Sequence, residues 1–168
     1  MRRLGSSADN SGWQAKRDEA QELSRQGKYE QADREYRAAL RLAEAALGPL
    51  SEDVLELLEL LDHLQYCDIG DWSRSIPIET ILLDRHQAML GADHPDLAHD
   101  ILGLAQAYDL SAYQSSDERD RREHIKHAAR YYRAVLDALD RGTPTARGVI
   151  TADLMRDLAE SGLARVAR

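Results

Sequence analysis

Apolar residues recur along the chain at intervals of three and four, the spacing that places side chains on one face of an α-helix. One such face runs through Val54, Leu55, Leu58 and Leu61. A matching face runs through Leu97, Ala98, Ile101 and Leu104. The last face comprises Val149, Ile150, Leu154, Leu158 and Val166, and it predicts a helix from about Thr145 to Ala167. The pattern predicts an all-α fold.

The helical pattern repeats. Gly27–Gly48 and Gly70–Gly91 match at a constant shift of 43 residues, with Tyr29 opposite Trp72 and Leu47-Gly48 opposite Leu90-Gly91. A third copy follows, in which Ala128 and Tyr132 repeat Ala32 and Tyr36. We therefore predict three helix pairs, a C-terminal capping helix at 143–168 and a flexible polar tail at 1–12. The pairs span 13–48, 49–91 and 92–142.

Three local features qualify this prediction. Gly27 and Gly70 suit a tight turn with positive φ between paired helices. Pro77 lies in the second helix of pair two and predicts a late or distorted start of that helix. A polar insertion near 112–123, centred on Ser115–Glu123, either lengthens a loop or extends a helix into solvent.

The spacing of Ala20, Gly27, Tyr29, Ala32, Tyr36 and Ala39 resembles the tetratricopeptide repeat. The string Leu90-Gly91-Ala92-Asp93-His94-Pro95, followed by Ala98, is similar to the subtype of kinesin light chains and many bacterial relatives. Pair two departs from the pattern, since Glu79 stands at the aromatic position. The resemblance implies a short α-solenoid that binds a protein or peptide in a concave groove.

In that family the groove is lined by the first helix of each repeat, which assigns partner-binding residues here. In pairs one and three they include Arg17, Gln21, His99, Gln106 and Asp109. In pair two, counting from Gly48 gives Glu56, Glu59 and His63, an acidic stripe suited to a partner with Lys or Arg. Counting back from Gly70 gives Leu57, Leu60 and Leu64, an exposed apolar patch that would favour a hydrophobic peptide or a homodimer.

Composition narrows the partners. A formal charge of -8 disfavours nucleic acid, and no apolar run is long enough for a membrane span. The single cysteine, Cys67, excludes an internal disulfide, and the N-terminus does not resemble a secretory signal, so we expect a cytoplasmic protein.

No sequence motif indicates catalysis. His63 and Cys67, four residues apart, could share a metal on an α-helix, but two ligands do not make a zinc site. We therefore expect no catalytic residues, metal or cofactor. The sequence predicts an adaptor, scaffold or regulator, with a self-associating homodimer as the alternative and a metal-dependent helical enzyme as a weaker one.

Overall fold

The computed structural model describes residues 11–145 and 150–167, and the regular elements in these residues are all helices. The chain divides after Gly70 into two compact units. The first unit contains α1 (Ser11–Arg25), α2 (Tyr29–Leu47) and α3 (Glu52–His63), and α3 runs on into a π-helical turn (Leu64–Ile69). The second unit contains α4 (Trp72–Leu90), a 3₁₀ turn (Pro95–Leu97), α5 (Ala98–Gln114), α6 (Glu118–Arg141) and α7 (Ala152–Val166). The all-α prediction is confirmed.

The first unit is built on close contact between α1 and α2. Ala20, Ala32 and Ala39 are fully buried, because their small side chains let the two helix axes approach. The turn between the helices has Gly27 at φ 72°, and the Lys28 amide donates to the Leu23 carbonyl at 2.9 Å. This is the left-handed helix ending that glycine favours, so the predicted positive φ is confirmed.

The second unit has a core shared by α4, α5, α6 and α7. The predicted face of α5 lies in this core, and Tyr132 of α6 is 1% exposed. Two buried polar contacts also join helices: His86 Nδ1 lies 2.9 Å from Asp100 Oδ2, and the Tyr132 hydroxyl donates to Asp109 Oδ2 at 3.0 Å.

Helix α4 begins earlier than Pro77 predicts. Asp71 caps it by accepting a hydrogen bond from the Arg74 amide at 3.3 Å, so the helix starts at Trp72 and Pro77 lies inside it. Pro77 is exposed, and water can therefore satisfy the carbonyl group that loses its partner to the proline ring. The polar insertion forms a short loop at 115–117 and then the first turns of α6, where Asp117 is the N-cap.

The C-terminal helix is shorter than predicted, but Ile150, Leu158 and Val166 of its predicted apolar face do pack against the core. It begins at Ala152, capped by Thr151, whereas Val149 lies outside the described residues. Its most buried residues are Met155, Ala159 and Gly162, while the predicted Leu154 and Leu158 are half-buried. Ala159 and Gly162 have small side chains, which lets α7 pack directly on α6.

Gly162 sets the distance between α6 and α7. A Cβ atom added there would lie 2.3 Å from Cζ of Tyr132, well inside van der Waals contact. Gly103 has the same relation to Glu79, because an added Cβ would lie 2.5 Å from the Glu79 carboxylate. Tyr132 and Glu79, which the sequence pattern places at equivalent positions, thus both face a glycine.

We expect Gly162→Ala to destabilise the second unit by about 1 to 3 kcal/mol, because the added methyl group would clash with the buried Tyr132 ring. Urea unfolding followed by circular dichroism measures this change.

Gly12→Ala is the matched control, since its added Cβ would meet only Leu42 Cδ1 at 3.9 Å. That exchange also sits in a helix, and the better helix propensity of alanine should make it neutral or stabilising by up to about 1 kcal/mol. Equal unfolding curves for the two variants would contradict the close contact at Gly162.

Candidate functional site

The first unit contains an open cleft of about 450 Å³ between α1 and the end of α3. Helix α1 supplies one wall, α3 and the π-helical turn supply the other, and Tyr36 of α2 lies at the base. The cleft combines apolar and polar groups, and its lining residues are Gln21, Ser24, Arg25, Tyr36, Leu60, His63, Leu64 and Asp68.

The π-helical turn determines which residues of this wall reach the cleft. A π-helix closes hydrogen bonds over five residues instead of four, so it accommodates one residue more than an α-helix of the same rise. The extra residue in this turn explains why the predicted groove positions of pair two differ by one residue when they are counted forward from Gly48 and backward from Gly70. The cleft contains His63 from the first count and Leu60 and Leu64 from the second.

A buried hydrogen bond supports the turn. Gln65 has no exposed surface, and its Nε2 donates to Asp33 Oδ1 of α2 at 2.6 Å. Arg37 completes the contact, with Nε 3.0 Å from Asp33 Oδ2. The turn ends at Gly70, whose φ of 72° lies in the left-handed region that favours glycine.

Asp68, Arg25 and Tyr36 line the cleft although the sequence did not predict them as groove residues, and Asp68 is the acidic one. The Ser24 hydroxyl of α1 donates to its Oδ2 at 3.1 Å, and His63 Nδ1 lies 3.9 Å from the same oxygen. The Asp68 side chain is 29% exposed. On α-helical spacing His63 would lie next to Cys67, as considered for a shared metal. The π-helical turn instead places Asp68 beside His63.

The Asp68 carboxylate affects the pKa of a neighbouring tyrosine in the cleft. Burial raises the pKa of Tyr36 at the base, and the negative charge of Asp68 raises it further. Arg25 is the cation at the rim, but it is largely exposed and its Nη2 lies 3.1 Å from Glu22 Oε2.

The other predicted residues of the first unit lie outside the cleft lining. Arg17 is engaged beside the Trp13 ring, 5.5 Å from its centroid, and donates to Asp18 at 2.9 Å. Glu56 and Glu59 are exposed on α3, as the acidic stripe requires, but neither lines the cleft. The alternative apolar patch is wrong, because Leu57 and Leu64 are 0% and 1% exposed. They are buried because the apolar face of α3 is wider than a single stripe.

The predicted residues of the second unit do not form a comparable polar cleft. His99 Nε2 lies 2.8 Å from the Thr145 carbonyl oxygen, so this side chain contacts the segment that leads towards α7. Gln106 is half-buried on α5. Asp109 is 9% exposed, and Arg165 of α7 donates to its Oδ2 through Nε at 3.0 Å.

Asp109 therefore joins three helices, which differs from the predicted role of an open groove residue. Burial raises the pKa of the neighbouring Tyr132 far above its usual range, and the Asp109 charge adds to that rise. The hydrogen bond to Asp109 likewise raises the pKa of Arg165. Sequence analysis missed this role because Arg165 lies 56 residues from Asp109 in the chain.

A second cleft, of about 610 Å³, lies beside this contact and is mainly apolar. Its apolar lining comes from α5, α6 and α7, and Tyr113 at its edge is 87% exposed. Arg121, also in the lining, is already bound to Glu118 Oε2 at 3.1 Å.

Among residues 11–145 and 150–167, no group of three or more His, Cys, Asp or Glu side chains is arranged to hold a metal ion. Within the same residues, no helix combines the length and apolarity needed to cross a membrane. Comparison of the sequence with protein-family models and with curated proteins gives no match.

Gln65→Glu should destabilise the first unit by about 3 kcal/mol at pH 7, because it places a second carboxyl of the same shape against the buried Asp33. Like charge and burial raise the pKa of the introduced carboxyl in the folded chain. The deficit is therefore complete above that raised pKa, and it shrinks as the pH falls through it towards about 4, where the unfolded chain also binds the proton.

Urea unfolding at pH 7 and at pH 4.5 measures this change. Gln31→Glu is the control, because it makes the same exchange at an exposed position of α2. A Gln65→Glu variant as stable as Gln31→Glu at pH 7 would contradict the buried contact.

Arg165→Ala should destabilise the second unit by about 2 kcal/mol, because the buried Asp109 carboxylate then keeps only the Tyr132 hydroxyl among its described partners. Arg156→Ala in the same helix should change stability by less than about 0.5 kcal/mol, since the Arg156–Asp140 pair is exposed. Thermal or urea unfolding of the two variants compares them directly, and a similar loss in both would show that Asp109 does not depend on Arg165.

Proposed function

We propose that this chain is a protein-interaction module of the tetratricopeptide type, and that its first unit binds an extended peptide segment of a partner. The observation that carries the proposal is the cleft between α1 and the end of α3, which is open and lined by both apolar and hydrogen-bonding side chains. Its volume of about 450 Å³ is in the range of ligand pockets in general, roughly 300 to 1,000 Å³.

The chemistry of the lining supports a peptide as the occupant. Leu60 is half-buried and offers apolar surface for a side chain, above the buried Leu64 and Tyr36. Gln21, with both a donor and an acceptor, can pair with the amide and carbonyl groups of an extended backbone. Gln21 and His63 also stand where the tetratricopeptide resemblance puts groove residues, on the first helices of pairs one and two.

The overall charge supports a protein partner in preference to nucleic acid, since a net charge of -8 repels phosphates. A cytoplasmic location and an adaptor, scaffold or regulator role without catalysis belong to the same proposal. The lone Cys67 fits a location where disulfides are not needed.

Selection from a random peptide display library on the full chain tests the proposal. Peptides should be enriched, and Gln21→Trp should weaken their binding more than about tenfold, because the large ring fills the cleft. The affinity of the selected peptides is measured by isothermal titration calorimetry.

Gln31→Trp is the matched control, since it adds the same ring to an exposed position of α2 away from the cleft. It should leave affinity within about twofold. Failure to select any peptide would contradict the proposal, and so would peptides that bind the Gln21→Trp variant normally. Light scattering of the free chain tests the homodimer alternative.

A further inference from the structure

We propose that the cleft selects a lysine or arginine side chain of the bound segment, and that Asp68 is the residue that recognises it. This inference rests on the proposed function and specifies which peptides the cleft accepts. It assigns the specificity to a residue on the π-helical turn, away from the exposed acidic stripe of α3.

The geometry of Asp68 leaves one carboxylate oxygen available. Ser24 and His63 both approach Oδ2, at 3.1 Å and 3.9 Å. Within the part of the chain that the structure describes, Oδ1 has no hydrogen-bond or ion-pair partner. A half-exposed carboxylate inside a cleft is screened less than one on an open surface, so a cation that reaches it binds more strongly.

The cations nearest to Asp68 are engaged elsewhere. Arg25 lies against Glu22, and Arg17 lies against Asp18 and the Trp13 ring. Asp33 in the first unit and Asp109 in the second show the contrasting arrangement, in which each carboxylate is paired with an arginine from its own unit. In the first unit the ligand would supply the cation that the chain itself does not place there.

The surroundings of Asp68 also fit the rest of a basic side chain. Lysine and arginine carry three or four methylene groups that bury against apolar surface while the charged end stays polar. Leu60 lines the same cleft, is half-buried and offers such surface. The Ser24 hydroxyl holds the carboxylate in position, which reduces the ordering needed on binding.

The acidic stripe of α3 has a different role from Asp68 in the binding of a basic segment. Glu56 and Glu59 are exposed on α3 outside the cleft lining, so their charges are open to solvent and screened by salt. They can attract a basic segment at long range but do not distinguish one side chain from another.

A double-mutant cycle on a peptide from the library selection tests the inference. Selected peptides should be enriched in Lys or Arg at one position. Asp68→Asn in the full chain, or exchange of that peptide lysine for norleucine, should each weaken binding about tenfold. The two changes together should weaken it no more than either alone, because both remove the same contact.

Two further variants sharpen the test. Glu56→Gln with Glu59→Gln removes two charges from the same helix and should change affinity less than about twofold at about 0.15 M ionic strength. Arg25→Gln should leave binding unchanged or strengthen it, since Arg25 at the rim repels a basic side chain.

Selected peptides that lack Lys and Arg would overturn the inference and leave the proposed function standing. Independent losses in the cycle would also overturn it, as would a larger loss from the Glu56 and Glu59 variant than from Asp68→Asn. If no peptide is selected, the proposed function fails and this inference fails with it. Should Asp68→Asn fold poorly by circular dichroism, the ¹³C shift of the wild-type Asp68 carboxyl carbon replaces it: movement on adding the lysine peptide but not the norleucine peptide supports the contact, and equal response to both contradicts it.

Discussion

The hydrogen bond between the buried Gln65 amide and Asp33 is the contact on which the candidate site depends. It ties the π-helical turn to α2, and the turn in turn directs Leu64 and Asp68 to the cleft side of the helix. A regular α-helix over the same residues would take up one residue fewer and would change the direction of every side chain beyond His63. The position of Asp68 beside Ser24 is therefore a consequence of helix geometry.

Asp109 and Asp68, one carboxylate from each unit, differ in their burial and in their partners. In the second unit Asp109 is satisfied by Tyr132 and Arg165, so the charge serves to join α5, α6 and α7. In the first unit Asp68 Oδ2 accepts a hydrogen bond from Ser24, and Oδ1 has no hydrogen-bond or ion-pair partner among the described residues. The first arrangement supports stability, while the second is suited to a ligand.

Periodicity predicted the helices well because local spacing determines which face of a helix is apolar. The turn glycines followed from the same repeat, since Gly27 and Gly70 share one conformation. Helix α7 starts later than predicted, at Ala152. Leu154 and Leu158 follow helical spacing and were expected to be the buried residues, whereas close packing uses Ala159 and Gly162. The expected late start of α4 at Pro77 was also wrong, because the Asp71 cap starts the helix at Trp72 despite the proline.

The candidate site was only partly predictable. Gln21 and His63 were assigned because the tetratricopeptide resemblance puts groove residues on the first helix of each pair. Asp68 enters the cleft only through a π-helical turn, for which no sequence signal was recognised. Asp109 was assigned to the groove because its partner Arg165 lies far away in the chain. Contacts of this kind depend on tertiary packing, which the repeat pattern alone does not specify.

The most direct test of the account is a crystal structure of the full chain with a selected lysine-containing peptide. We expect a π-helical turn at Leu64–Ile69, with the peptide between α1 and α3 and its lysine ammonium in contact with Asp68 Oδ1. A regular α-helix through these residues, or a peptide bound elsewhere with Asp68 facing solvent, would contradict it.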